Sequence, residues 1–173
     1  MDSELKEIVS TVVGELGYDS IKPEQERALL SFLWGHDVFV SLPTGYGKSL
    51  CYAALPGAFD KMLKRTSPYT SIVIAVSPLI ALMKDQVASL STWGLAVGCI
   101  TQESSDEERA KVKNGQYQLV LFSPEALLSI RRWTELLQGE NYGPRIVDFI
   151  VDEVHCVKKW YIVHDLHVEV AVQ

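Results

Sequence analysis

Two glycines, a lysine and a serine crowd into Leu42-Pro43-Thr44-Gly45-Tyr46-Gly47-Lys48-Ser49, between an apolar run at Asp37 to Leu42 and a helical start at Leu50-Cys51-Tyr52. Strand, glycine turn and helix start, in that order, form the setting in which a backbone wraps a phosphate chain. Gly45 and Gly47 allow the tight turn that points N–H groups at phosphate oxygens, with Thr44 in the same loop. Lys48 supplies charge for the β- and γ-phosphates, and the Ser49 hydroxyl is a ligand for Mg²⁺. The helix dipole adds to the anion site. The general pattern has a further glycine five residues before the one that precedes the lysine; here Leu42 takes that place.

A second group, Ile150-Val151-Asp152-Glu153, ends an apolar run in two carboxylates. Ligands of parallel sheets bind outside the C-terminal ends of the strands. Asp152 is expected to hold Mg²⁺, directly or through water, and Glu153 to polarise an attacking water. Solvated turn carboxylates are the plainer alternative for this pair, and a helix start without function is the plainer one for the glycine loop. Together the two motifs point to ATP with Mg²⁺.

These groups need a scaffold, and the chain spells one out. Leu5, Ile8, Val9, Val12, Val13 and Leu16 recur at helical spacing until Gly17, and a second helix is expected from Pro23 to about Trp34. Five strands are expected, at Asp37 to Leu42, Ser71 to Val76, Ala96 to Ile100, Gln118 to Phe122 and Ile146 to Val151. Most are continuous apolar runs, as in strands buried on both faces. Helices are expected from about Lys48, Leu79, Ser105 and Pro124, the last broken or restarted near Arg131. The rhythm predicts an α/β fold, a parallel sheet flanked by helices. After Trp160 it stops, and Asp165 to Val172 alternates polar and apolar residues.

The 173 residues, 47% hydrophobic, suffice for one domain and fall short of two full lobes. No apolar run is long enough to span a bilayer, and the acidic start Met1-Asp2-Ser3-Glu4 does not read as a secretory signal. A net charge of −6 argues against a broad electrostatic footprint for nucleic acid, so any such contact is local. Cys51, Cys99 and Cys156 are widely spaced and fit a reducing compartment. His155, Cys156, His164, Asp165 and His167 match no familiar zinc spacing.

The two motifs resemble motifs I and II of superfamily 2 helicases, in which the outermost loop glycine is commonly missing. Leu42 to Tyr52, Ser77 to Val87 and Asp152-Glu153-Val154-His155-Cys156 look most like the RecQ-type DNA helicases. The resemblance covers about Tyr18 to Trp160 and implies the RecA-like first lobe of a 3′-to-5′ helicase, with N-terminal helix 4–16 as an added element. It further implies that Tyr18, Lys22 and Gln25 surround adenine, Lys22 standing where arginine is more usual. The Gln25 amide matches both polarities of the adenine edge. By the same resemblance Ser77-Pro78 and Ser123 touch the single-strand backbone, His155 couples nucleotide to DNA, and Trp160 begins a DNA-sensing loop. Either serine is equally suited to capping a helix that has proline at its first position.

From Tyr161 to Asp165 the family pattern is lost, so 161–173 reads as a divergent tail, and the second lobe with its arginines is expected to be absent. A DNA partner implies the nucleus in a eukaryote, otherwise the cytoplasm. Two further readings stay open: a nucleotide-binding module without catalysis, and a lobe of an RNA helicase.

Overall fold

A computed structural model describes residues 2–43, 45–66, 70–129, 133, 137, 139 and 142–153. The expected first helix is present as α1 (Asp2–Glu15), which buries Leu5, Val9, Val12 and Val13 along one stripe. It ends where Gly17 turns to φ +88, a conformation that costs glycine little. Helix α2 (Pro23–Leu33) follows, with Pro23 in its first turn and the Lys22 N–H donating back to Gln25 Oε1 at 3.1 Å.

The helix expected from Lys48 is split into α3 (Lys48–Ala53) and α4 (Leu55–Leu63). Pro56 has no N–H to offer the preceding turn, so one helix ends and another starts with proline in its first turn.

Four of the expected strands form. They are β1 (Ile72–Val76), β2 (Val97–Ile100), β3 (Leu119–Phe122) and β4 (Ile146–Val151), paired in the order β2-β3-β1-β4 with every pairing parallel. Parallel neighbours need crossovers, supplied by α5 (Ile80–Ser91), α6 (Asp106–Lys113) and α7 (Pro124–Ser129). Alternate side chains of the central strands enter two cores. Val73, Ala75, Leu119 and Leu121 join residues of α1 to α5 on one face. On the other, Ile72, Ile74, Val120 and Phe122 pack with Val112, Ala126 and Trp133. Trp133 meets Phe122 edge to face at 5.2 Å. Helix, sheet and helix thus form three layers, the RecA-like α/β arrangement.

The run Asp37 to Leu42 departs from expectation, since among the described residues it pairs with no strand. A strand needs a ladder partner, and an apolar sequence by itself does not provide one. The segment keeps the period of two on one side only. Val38, Val40 and Leu42 are half-buried, whereas Asp37, Phe39 and Ser41 are exposed. Strand β4, at the sheet's edge, is likewise only half-buried along its length.

At the other end of the strands an arginine pair ties loops together. Arg145 donates to the Thr70 and Gly115 carbonyls, and Arg65 to those of Pro144 and Arg145. Gly115 has φ +62, and a methyl group there would collide with the Arg145 guanidinium. Gly115→Ala is therefore expected to destabilise the fold by about 2 kcal/mol, read by urea denaturation.

Asp148 on β4 has its carboxyl pushed up to about 6, first by burial and further by Asp37, against the help of the Phe149 N–H. Between about pH 4 and pH 6 the native state then holds a proton that the unfolded chain has released. Stability from this group falls as pH rises through that window. Asp148→Asn is expected to flatten the dependence and to stabilise the protein at pH 7 by about 1–3 kcal/mol, measured by denaturation at both pH values.

Candidate functional site

The glycine loop sits between the irregular segment ending at Leu42 and the start of α3. Gly45 and Gly47 have φ of +78 and +90, the left-handed turns that the sequence calls for. Gly47 is needed twice over, because a Cβ there would lie 2.7 Å from Gln25 Nε2. Lys48 opens α3 and its ammonium donates to the Leu42 carbonyl at 3.2 Å, so its charge lies back over its own loop. Thr44 lies outside the described residues.

Lys22 and Gln25 reach the same loop from α2. Gln25 is buried; its amide nitrogen donates to the carbonyls of Tyr46 at 3.1 Å and Gly47 at 3.0 Å. Lys22 Nζ donates to the Tyr46 carbonyl at 3.1 Å and lies 3.8 Å from the centre of the Tyr46 ring. The ring contact of Tyr18 is with Trp93, just beyond α5, at 5.1 Å.

On the opposite side stands Asp152, the first residue past β4. Its Oδ2 accepts from Gln86 Nε2 of α5 at 3.1 Å, and its Oδ1 accepts the Glu153 N–H at 3.0 Å. Ser49 and Asp152 both act on the buried phenol of Tyr52. Burial raises this phenol above its ordinary range, the Asp152 charge adds to the rise and the Ser49 hydroxyl opposes it. Glu153 has φ +53, a left-handed turn costly for a residue with a Cβ, and strain of this kind collects at functional sites.

Asp152 begins a row. Its N–H donates to the carbonyl of Val76 at 2.9 Å, the Ser77 N–H to that of Phe122 at 3.0 Å, and the Ser123 N–H to that of Ile100 at 2.9 Å. Each first residue beyond a strand is thus tied to the last residue of the neighbouring strand. With strands about 4.8 Å apart, the row runs roughly 10 Å along the C-terminal rim.

Of the two serines, one is seen to cap a helix. Ser123 caps α7, its hydroxyl accepting from the Ala126 N–H at 3.3 Å. Ser77 does not cap α5, whose N-cap is Leu79, and its fully buried hydroxyl has no hydrogen-bond partner among the described residues. Pro78 is half-buried, and the exposed part of that loop is Leu79 and Ile80. His155, Trp160 and the tail 161–173 lie outside the described residues.

Sequence reasoning missed Gln86 and Tyr46 as site residues. Gln86 hides in an ordinary helical pattern, and only the Ser77 to Val87 motif around it was a signal. Tyr46 fills a position that the general loop pattern leaves unspecified. A cavity of about 340 Å³ lined by Lys84, Cys99, Glu103, Glu108 and Tyr117 shares no residue with the site. Among the described residues no cluster of three or more His, Cys, Asp or Glu side chains forms a metal site, and no helix is long and apolar enough to cross a membrane.

Comparison with known proteins bears on this geometry. The DEAD/DEAH box helicase family matches residues 22–170. The ATP-dependent DNA helicase Q4 of Mus musculus is 37% identical over 150 residues, covering 84% of this chain and 12% of that protein. The ATP-dependent DNA helicase RecQ of Synechocystis is 36% identical over 148 residues, 83% of this chain and 28% of that protein. The RecQ helicase of Haemophilus influenzae is 31% identical over 156 residues, 88% of this chain and 23% of that protein. The chain thus spans less than a third of the length of each of these relatives. With its glycine loop and its acid-ended edge strand, it belongs to the DEAD/DEAH box helicase family, and RecQ-type helicases are similar to it over most of its length.

Proposed function

We propose that this chain is the ATP-binding lobe of a RecQ-like DNA helicase, which couples ATP hydrolysis to unwinding of duplex DNA in repair, recombination and replication. The observation that carries the reading is the rim itself. Asp152, Ser77 and Ser123 stand in one row, held by three backbone hydrogen bonds, and Ser49 of the glycine loop and Asp152 both act on the Tyr52 phenol. Nucleotide at one end of such a row and a strand backbone along the other is the arrangement a motor needs. The relatives' names specify DNA, which favours DNA over RNA as the nucleic acid.

The donor set fits the proposed ligands. The left-handed turns at Gly45 and Gly47 leave backbone N–H groups to cradle phosphate oxygens, and Lys48 adds charge once it leaves the Leu42 carbonyl. Ser49 and Asp152 are hard oxygen donors suited to Mg²⁺. When bound, Mg²⁺ neutralises charge on the β- and γ-phosphates. Glu153 orients the attacking water and takes its proton. Gln86 donates to one Asp152 oxygen, which fixes the orientation of that carboxylate.

In this reading the arginines that reach the γ-phosphate come from a second lobe in the longer protein. Arginine fingers are worth about 10³–10⁵ in rate, so this chain alone binds nucleotide and hydrolyses it slowly. Translocation and unwinding need both lobes. Acting on DNA, the protein works in the nucleus of a eukaryotic cell, or in the cytoplasm of a cell without one.

Three variants check the reading. Titration of the chain with a fluorescent ADP analogue and Mg²⁺ is expected to show saturable binding, weakened about tenfold or more by Lys48→Ala (a loss of about 1.4 kcal/mol). Glu153→Gln is expected to leave binding within about twofold and to abolish residual hydrolysis. Binding indifferent to Lys48 removes the loop from the account. For the metal, Gln86→Leu is expected to lower the Mg²⁺-dependent part of the affinity by roughly tenfold while binding in EDTA is unchanged. Equal losses with and without Mg²⁺ would make Gln86 a packing residue only.

A further inference from the structure

We infer that Glu24 and Tyr46 form a clasp that holds the phosphate loop against α2 and must open when nucleotide binds. The inference rests on the nucleotide reading of the loop and adds two residues to which the motifs assign no role.

The contacts are specific. The Tyr46 hydroxyl donates to Glu24 Oε2 at 2.7 Å, across 22 positions of sequence. The Lys22 ammonium sits over the Tyr46 ring and also donates to the Tyr46 carbonyl. Both N–H donors of Gln25 are spent on the carbonyls of Tyr46 and Gly47, and its oxygen accepts the Lys22 N–H. On the other side of the loop, the Lys48 ammonium donates to the Leu42 carbonyl.

The consequence is a competition. A base edge read by Gln25 needs an amide N–H that the loop carbonyls now hold. A phosphate chain needs the Lys48 charge that the Leu42 carbonyl now holds. Tyr46 is the hub, because its hydroxyl, ring and carbonyl together bind Glu24, Lys22 and Gln25. The Tyr46–Glu24 bond pins the hub to the first turn of α2, and the other contacts follow from that position. The clasp lowers nucleotide affinity by stabilising the nucleotide-free loop, and Tyr46 and Glu24 are positioning residues.

The test uses the whole 173-residue chain, a fluorescent ADP analogue with Mg²⁺, and amide hydrogen exchange without nucleotide. Tyr46→Phe removes only the hydroxyl and keeps the ring under Lys22. Glu24→Ala removes the acceptor. Each is expected to bind the analogue about three- to tenfold tighter and to exchange the amides of 45–50 faster, the double variant matching the singles. A gain in affinity separates the clasp from a merely structural role, whose loss would weaken binding. Unchanged or weaker binding in Tyr46→Phe, with wild type still binding, overturns the clasp and leaves the nucleotide reading standing. No binding by any of the four proteins overturns that reading and the clasp with it.

Discussion

Three backbone hydrogen bonds, from Asp152 to Val76, from Ser77 to Phe122 and from Ser123 to Ile100, fix where everything else in the site stands. They extend the parallel pairing one residue beyond the strand ends, where a strand gives way to a loop. A parallel sheet buried between two layers of helices cannot slip register without turning its apolar faces outward. The rim therefore takes its register from the core below it. Asp152 inherits its position from β1 through Val76, and the crossover helix α5 returns Gln86 to Asp152 from the far side.

Much of this was legible in the residues because it depends on local rules. Periodicity and Pro23 mark the first two helices, four apolar runs mark the strands, and Gly45 and Gly47 mark positions that need positive φ. Asp37 to Leu42 was not legible, since its apolar pattern says nothing about whether a neighbour is there to pair with it. The roles of Ser77 and Ser123 were undecided for a similar reason. Both precede proline, and only the observed helix starts separate a cap at Ser123 from a buried hydroxyl at Ser77 with no partner among the described residues. Gln86 and the Glu24–Tyr46 bond are tertiary contacts between distant positions, and no local spacing encodes them.

Side chains of the glycine loop and of α2 bond to the loop's own carbonyls. Lys48 and Gln25, the residues expected to meet phosphate and base, are occupied by carbonyls of the same loop. Buried polar groups are rarely left unpaired, so a site that has to stay folded without its ligand satisfies itself internally. Recognition of nucleotide in such a site is an exchange of partners, and affinity is set by the difference between two nearly satisfied states.

The account centres on the glycine loop and the Asp152 carboxylate serving one ligand. Its most direct test is a crystal structure of the chain with a non-hydrolysable ATP analogue and Mg²⁺. The account predicts phosphates within the 45–49 turn, Lys48 moved from the Leu42 carbonyl to a phosphate oxygen, and the metal between Ser49 and the Asp152 carboxylate. A nucleotide seated elsewhere, with Lys48 still on Leu42 and no metal near Asp152, would contradict it.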